Sequence, residues 1–339
     1  MPTTWMWTPS PSPLASNAKV THRATQGTPR AAGDAVHKPV LLDEILQFFA
    51  PEAGQTIIDG TLGFGGHSER ILQAGANVIG VDQDREALER AIPRLESFGE
   101  RFQPVRGNAE QLPSLLAQIP SAPHKVDAIL FDLGVSSWQL DQVDRGFSFQ
   151  TDGPLDMRMN PNGATTAADL VNTLDQEELA NILFTFGEER GSRAVAKAIV
   201  ERRQERPFET TLDLANVISR WVRRSGKIHP ATRSFQALRI AVNRELDVLP
   251  TMLSHAVDLL NPGGKLAVIS FHSLEDRIVK HFIRDHSKAM VDDPTWPAPR
   301  QNPDYHFDLP CKLIQASKEE CVRNPRARSA KLRFAIRRA

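Results

Sequence analysis

The sequence predicts an α/β fold in which a largely parallel sheet carries an inserted helical domain. From His37 onward, short apolar runs alternate with stretches of helical periodicity, a pattern typical of βαβ units. Between about residues 140 and 245 the apolar runs disappear and only helical periodicity remains. The 339 residues, 40% hydrophobic and 24% charged, are enough for about two domains and exclude a wholly disordered chain.

Four apolar runs are predicted to form strands of this sheet. They cover residues 56–59, 77–82, 126–132 and 265–271, and residues 312–315 and 331–336 are predicted to close the sheet as a further pair. The first three runs end at Asp59, Asp82 and Asp132. Because ligands of open α/β sheets bind beyond the carboxyl ends of the strands, we expect the functional site at this edge.

Helix signals dominate the middle of the chain. Asp175 and Glu178 have the spacing of a capping box, Thr211 precedes a second helical pattern, and Pro230 suits the first turn of a third helix. The predicted organisation is a disordered N-terminal extension (1–36), the first part of the core (37–139), an inserted helical substrate-binding domain (140–245), and the second part of the core with a basic C-terminal segment (246–339).

The net charge of zero conceals a segregation of charge along the chain. Residues 37–184 hold 10 basic and 22 acidic groups, whereas residues 185–245 hold 13 basic and 7 acidic groups and residues 322–339 hold 7 basic and no acidic groups. Two basic segments on an otherwise acidic protein are the electrostatic pattern expected of a polyanion partner such as a nucleic acid. The alternative is that these charges only solvate helix faces and a tail.

The composition also bears on the cellular compartment. No run approaches the roughly 18 uncharged apolar residues that a membrane span needs, so the sequence predicts a soluble protein. The two cysteines, Cys311 and Cys321, lack the spacing of a metal site or a disulfide scaffold. We therefore expect free thiols, a cytoplasmic location and no bound metal.

The strongest local motif is the glycine-rich loop DGTLGFGGH at residues 59–67, which follows a predicted strand and precedes a helical segment. Asp82 ends the next strand, where a carboxylate is suited to accept hydrogen bonds from a ribose diol. The spacing Gly-x-x-Gly-x-Gly-Gly differs from the Gly-x-Gly-x-x-Gly that binds a pyrophosphate. This spacing therefore favours a nucleoside without phosphates, S-adenosylmethionine, over a nicotinamide dinucleotide. The alternative is that the loop is only a tight turn that binds no ligand.

Asp132 is expected beside the same ligand, because it ends another strand of the sheet, and Gln139 follows it closely. The alternative for Asp132 is that its carboxylate only caps the turn after the strand.

Eight segments in order resemble one family. They are HKPVLLDE at 37–44, the loop at 59–67, DLGVSS at 132–137, RGFSF at 145–149, DGPLDMRM at 152–159, HPATRSFQALR at 229–239, SFHSLEDR at 270–277 and NPRARS at 324–329. Together they resemble the ribosomal RNA small-subunit methyltransferase H (MraW) family, which methylates the exocyclic N4 of a cytidine in small-subunit (16S-type) ribosomal RNA. The resemblance implies a class I methyltransferase (Rossmann-like) sheet with an inserted helical domain, S-adenosylmethionine as cofactor, and ribosomal RNA or the assembled small subunit as partner.

The resemblance also implies roles for individual residues. Cofactor contacts fall on Gly65, Gly66, His67, Asp82, Ala109, Asp132 and Gln139. Two departures from the family pattern are Ala109, at a place near the adenine where an aromatic residue is common, and Trp138, where Pro is common after the paired serines.

For the reaction itself, Asp132 is the first candidate to accept the N4 protons, with Asp156 and His272 as candidate helpers. Residues expected to contact RNA phosphates are Arg158, His229, Arg233, Arg239, Arg326 and Arg328, with His229, Arg233 and Arg239 expected near one helix face. A structural role is the alternative for each helper and each phosphate contact.

Other functions remain open at this point. They are a nicotinamide oxidoreductase, a non-catalytic RNA-binding protein, and a methyltransferase acting on another nucleic-acid or protein acceptor. Both a monomer and a homodimer are compatible with the sequence.

Overall fold

Strands alternate with helices on both sides of a long helical segment. The computed structural model describes residues 39–222, 229–308 and 313–339. The strands are β1 (Thr56–Asp59), β2 (Asn77–Asp82), β3 (Phe102–Arg106), β4 (Val126–Asp132), β5 (Leu260–Ser270), β6 (Met290–Val291), β7 (Arg300–Gln301), β8 (Ile314–Gln315) and β9 (Lys331–Ile336). The expected extension 1–36, Cys311 and the start of the predicted strand at 312 lie outside the described residues.

The α-helices fall into two groups, one around the sheet and one between β4 and β5. They are α1 (Leu42–Phe49), α2 (Gly66–Gln73), α3 (Arg85–Leu95), α4 (Leu112–Leu116), α5 (Ser137–Asp141), α6 (Ala167–Thr173), α7 (Gln176–Gly187), α8 (Ser192–Arg203), α9 (Thr211–Trp221), α10 (Thr232–Asn243), α11 (Glu245–Leu259), α12 (Ser273–Asp285) and α13 (Lys318–Arg323). Among the described residues, no helix has the length and apolarity needed to cross a bilayer.

Seven strands form the main sheet, in the order β3-β2-β1-β4-β5-β9-β8. The first five are parallel to their neighbours, and β9 pairs antiparallel with β5 and β8. The predicted strands β1, β2, β4 and β9 are confirmed with the predicted bounds, whereas β5 begins five residues earlier than expected. The sequence did not predict β3, because Phe102–Arg106 contains Pro104 and has no continuous apolar run, both of which suit an edge strand.

Alternate residues of the central strands face two hydrophobic clusters on opposite sides of the sheet. On one side Ile58 and Phe131 pack with residues of α4, α11 and α12, and on the other Ile57 and Leu130 pack with residues of α1, α2 and α3. Strands that are buried on both faces have continuous apolar runs in the sequence, which explains why β1, β2, β4 and β5 could be predicted.

The helices between β4 and β5 share a third hydrophobic cluster, formed by buried residues between Phe147 and Leu238. The capping box of Asp175 and Glu178 is confirmed at the start of α7. The cap of α9 is Thr210 instead of Thr211, and Pro230 lies two residues before α10 instead of in its first turn. Because α11 already packs on the sheet, we propose that the inserted domain ends near Arg244, whose φ of 52° separates α10 from α11.

Candidate functional site

A cleft opens at the carboxyl ends of β1, β2, β4 and β5, as expected from the positions of the three aspartates. Its empty space, counted out to the surrounding solvent, is about 1420 Å³. Of the expected cofactor contacts, the structure brings Gly66, His67, Asp82, Ala109, Asp132 and Gln139 to the cleft wall.

The glycine-rich loop lines one wall of the cleft and turns directly into α2. Gly65 is the N-cap of α2 with a φ of 73°, a left-handed conformation that favours glycine. A β-carbon added at Gly65 would lie 2.7 Å from Leu95 Cδ1, and one added at Gly66 would lie 2.7 Å from Pro39 Cγ. Gly65 therefore shapes the loop from behind, whereas Gly66 forms part of the cleft surface.

Asp82 lies opposite the glycine-rich loop, at the end of β2. The backbone N–H of Gly63 donates to its Oδ2 at 2.8 Å, and the N–H of Asp84 donates to its Oδ1 at 2.8 Å. Burial raises the pKa of Asp82 to about 6, with these two backbone hydrogen bonds acting against the shift. The carboxylate is thus held rigidly, and each oxygen retains a lone pair for a ligand hydroxyl.

Asp132 lies on the floor of the cleft, at the end of β4. Its N–H donates to Thr61 Oγ1 at 2.6 Å, while its buried Oδ1 has no hydrogen-bond partner among the described residues. Burial, followed by the negative charges of Asp59 and Glu275, raises the pKa of Asp132 well above its usual range. A buried carboxylate oxygen without a partner is costly, which marks Asp132 as a group that a ligand completes.

His67 is the nearest side chain that faces Asp132. Its Nδ1 lies 3.8 Å from Asp132 Oδ2, and its Nε2 lies 2.9 Å from the carbonyl oxygen of Val40. Burial lowers the pKa of His67 to about 4, so the imidazole is neutral at pH 7.

Gln139 lines the cleft, but both polar atoms of its side-chain amide already form hydrogen bonds within the protein. Its Nε2 donates to Asp84 Oδ2 at 2.8 Å and its Oε1 accepts from the N–H of Ser136 at 2.9 Å, which closes the capping box of α5. Trp138 lies outside the cleft lining, with its Nε1 donating to Glu86 Oε2 at 3.2 Å and its ring 3.4 Å from the guanidinium carbon of Arg90. The departure at Trp138 therefore falls outside the described cleft lining, although the ring lies 6.1 Å from that of Phe64, which does line the cleft.

Arg145 is a structural residue of the site that sequence reasoning missed. Its Nη1 lies 2.9 Å from Asp84 Oδ2 and 3.1 Å from Glu86 Oε2, and its Nη2 donates to the carbonyl oxygens of Arg158 and Met159. These contacts join the start of α3 to the segment that follows α5. The motif RGFSF marked the segment, but nothing in the sequence indicated the acidic partners, which lie about 60 residues earlier.

Asp156, a candidate helper, pairs with its near neighbour Arg158 and does not line the cleft. Two hydrogen bonds between the side chains, of 2.8 and 2.6 Å, form a forked pair. Burial alone would raise the pKa of Asp156, but the bonds and charge of Arg158 hold it below its usual range. The geometry fits the alternative in which this pair orders its loop.

His272, the other candidate helper, lies beside Glu275 and Glu245, both of which line the cleft. One ligand atom from each of these three residues falls within 4.8 Å of the others, the spacing of a metal site. However, Arg239 donates to both oxygens of Glu245, at 2.8 and 2.7 Å. Because the guanidinium already supplies positive charge here, we assign no metal ion to the cluster. Sequence reasoning missed Glu275, whose Oε2 accepts hydrogen bonds from the backbone N–H groups of Phe271 at 2.8 Å and His272 at 3.3 Å at the start of α12.

The six residues expected at RNA phosphates fall into two groups. Arg158 and Arg239 are paired with Asp156 and Glu245, and Arg158 remains partly exposed. His229, Arg233 and Arg328 are exposed, and Arg326 lines the cleft. The expectation that His229, Arg233 and Arg239 share one helix face is wrong. His229 precedes α10, and Arg233 and Arg239 are six positions apart, which places their side chains about 120° from each other around the helix axis.

The cleft as a whole is acidic. Asp82, Asp132, Glu245 and Glu275 line it, and Arg326 is the one Lys or Arg among its described lining residues. A negative potential of this kind favours a positively charged ligand over a neutral or anionic one.

Comparison with known proteins places the chain in a family. The model of the MraW methylase family matches residues 34–338. The chain belongs to the MraW methylase family. A protein named ribosomal RNA small subunit methyltransferase H from Syntrophotalea carbinolica is 49% identical over 310 residues, covering 89% of this chain and 98% of its own. Its namesake from Syntrophobacter fumaroxidans is 46% identical, covering 88% and 95%.

Membership confirms the predicted class I methyltransferase fold and the prediction of a methyltransferase. Solved structures resemble the chain more distantly. An rRNA methylase from Streptococcus thermophilus aligns with a TM-score of 0.39 and 12% identity over 87% of this chain and 95% of its own. A putative methyltransferase from Streptococcus mutans, in complex with SAH, aligns with a TM-score of 0.40 and 12% identity over 87% and 97%.

Proposed function

We propose that the chain transfers a methyl group from S-adenosylmethionine to the exocyclic N4 of a cytidine in small-subunit (16S-type) ribosomal RNA, in the cytoplasm. The observation that carries this proposal is Asp132 Oδ1, a buried acceptor without a hydrogen-bond partner among the described residues, at the floor of an acidic cleft beside the glycine-rich loop. The names of relatives 46–49% identical to the chain support the choice of acceptor.

The residues of the cleft fit S-adenosylmethionine. Asp82 is placed to accept hydrogen bonds from the ribose diol, and Gly66 keeps the loop surface flat for close approach. Ala109, Val248 and Met252 supply an apolar wall for the adenine, where alanine leaves more room than an aromatic residue. The four carboxylates suit the positive charges of the sulfonium and the ammonium group. When bound, the cofactor supplies an electrophilic methyl group.

Asp132 acts on the attacking amine. The lone pair of cytosine N4 is delocalised into the ring, and an acceptor for its protons favours the localised geometry that attacks the methyl carbon in line. Methyl transfer would make N4 acidic, and the Asp132 carboxylate would then accept its proton. The raised pKa of Asp132 makes the carboxylate a better proton acceptor than an exposed aspartate.

RNA binding is assigned to the exposed basic residues near the cleft and on the inserted helices. The proposed phosphate contacts are His229, Arg233 and Arg328, which are exposed, and Arg326, which lines the cleft and also pairs with the exposed Asp141 at 3.1 Å. We give Arg158 and Arg239 a structural role. Phosphates attract such cations without base specificity, so the base is read by the cleft. A target base stacked in structured RNA has to be unstacked to reach Asp132.

Methyl transfer to ribosomal subunits tests the proposal. Small subunits from cells lacking this protein are incubated with labelled S-adenosylmethionine and the full chain, and nucleosides are identified by mass spectrometry. We expect N4-methylated cytidine with the unaltered protein and with the matched control Asp292→Ala, an exposed aspartate outside the cleft lining, and none with Asp132→Ala. Cofactor binding by each variant is measured in parallel. Label in another nucleoside or in protein would assign a different acceptor.

A further inference from the structure

We infer that His67 is a positioning residue for Asp132: its Nδ1 accepts a hydrogen bond from the carboxyl group after Asp132 has taken the proton of the substrate amine. This inference rests on the proposed function for the identity of the amine. It assigns to the His67 ring a role in proton transfer, in addition to its place on the cofactor wall.

The tautomer of His67 follows from its surroundings. The carbonyl oxygen of Val40 can only accept a hydrogen bond, so Nε2, at 2.9 Å from it, must be the protonated nitrogen. In a neutral imidazole the other nitrogen then carries a lone pair, and this is Nδ1, which faces Asp132 Oδ2. The ring is 7% exposed, so water does not compete freely for that lone pair.

Whether His67 and Asp132 can form a hydrogen bond depends on the protonation state of Asp132. At 3.8 Å, Nδ1 and Oδ2 are too far apart for a hydrogen bond, and an ionised carboxylate and a lone pair have no proton to share. Once Oδ2 is protonated, a shift of about 1 Å brings the pair to hydrogen-bond distance. The Asp132 backbone is held by Thr61 Oγ1, but within the part of the chain that the structure describes Oδ1 has no partner, so rotation of the carboxyl group breaks no described hydrogen bond to Oδ1.

The other charged groups around Asp132 also favour its protonated form. Asp59 and Glu275 both disfavour an ionised Asp132, and the hydroxyl of Ser68 is already committed to Asp59 Oδ2 at 2.6 Å. Glu320 favours a protonated His67, but burial outweighs it. No described cation opposes the negative groups at Asp132. A neutral acceptor for the carboxyl proton is therefore the interaction that favours the protonated product of the transfer.

The complete step balances as follows. The S–C bond breaks, the N4–C bond forms, and the N4 proton moves to the Asp132 carboxylate. Rotation of the carboxyl group then turns the new O–H toward His67, where it donates to Nδ1. The imidazole stays neutral throughout, and Asp132 returns the proton to solvent when the product leaves.

Two substitutions of His67 separate this role from a structural one. The oxygen of Asn in His67→Asn reaches the place of Nδ1, whereas the amide nitrogen of Gln in His67→Gln reaches the place of Nε2 and keeps the hydrogen bond to Val40. We expect His67→Gln to slow single-turnover methyl transfer at least tenfold more than His67→Asn, with cofactor affinities within threefold of each other. The exposed His281→Gln is the matched control and should behave as the unaltered protein.

A double-mutant cycle shows whether His67 acts through Asp132. In an Asp132→Asn background, His67→Gln should cause less than a twofold further loss, because the group that it serves is gone. Equal losses in both backgrounds, or a slower His67→Asn than His67→Gln, would overturn the inference. Failure of the unaltered protein to form N4-methylcytidine would instead overturn the proposed function.

A measurement on the unaltered protein covers the case in which the variants do not fold. Nitrogen-15 NMR of the histidine rings distinguishes a protonated nitrogen from one with a lone pair. We expect the His67 signal to show a proton on Nε2 and a lone pair on Nδ1 at pH 7. A proton on Nδ1 would exclude the inferred hydrogen bond, whatever the acceptor of the methyl group.

Discussion

The ion pairs of Arg145 provide a sharp test of how the site is held in place. Replacement by Met in Arg145→Met keeps most of the side-chain volume but removes the guanidinium. The Arg145 side chain is 11% exposed and that of its partner Asp84 is 3% exposed, so the substitution leaves a buried carboxylate without its cation. Removal of one member of a buried pair typically costs about 3–5 kcal/mol. The carbonyls of Arg158 and Met159 lose their donor as well.

Equilibrium urea unfolding, followed by circular dichroism at 25 °C, measures this loss. The control is Arg85→Met, because Arg85 also pairs with an acid, Glu89, but the two side chains are 70% and 56% exposed. An exposed pair contributes about 0–1 kcal/mol. A loss below about 1 kcal/mol for Arg145→Met, comparable with the control, would refute the reasoning that burial makes this pair structurally important.

Three further predictions address the cofactor, the inserted segment and RNA. Because the pKa of Asp82 is raised to about 6, Asp82 gains a proton as the pH falls below 6 and loses its capacity to accept two hydrogen bonds from the ribose diol, so the affinity for S-adenosylmethionine measured by calorimetry should fall about tenfold from pH 7 to pH 5. S-adenosylhomocysteine carries the same ribose and should lose a similar factor, and an affinity that does not change with pH would contradict the assignment of Asp82. Gly146→Ala should unfold at a markedly lower urea concentration than Gly54→Ala. An added β-carbon would lie 2.1 Å from the carbonyl oxygen of Pro154 at Gly146 but in open space at Gly54, and equal unfolding midpoints would contradict this reasoning. Arg328→Ala should weaken subunit binding and reduce the slope of log affinity against log salt by about one, and an unchanged slope would remove Arg328 from the phosphate contacts.

The sequence predicted the parts of the fold that depend on local burial. The run Val126–Asp132 is buried on both sheet faces, and so its apolar residues are continuous in the sequence. The glycine-rich loop was equally visible, since close packing at Gly66 excludes side chains locally. In contrast, β3 escaped prediction because an edge strand buries only part of its surface and tolerates Pro104.

The sequence did not indicate which charged or titratable residues lie next to one another. Arg239 was expected to bind phosphate, yet the αL turn at Arg244 brings Glu245 back against it. His67 and Asp132 lie 65 residues apart in the chain and face each other because β1, which leads into the loop before α2, is the sheet neighbour of β4.

The sequence by itself therefore determined the apolar strands of the sheet, the loop and the aspartates at the strand ends, because burial and backbone geometry leave a local pattern. Only the tertiary structure decided which charges are paired and which polar atoms stay without a partner. The physical reason is that the strength of a charge or hydrogen bond depends on distance and burial, which are set by the order of strands across the sheet.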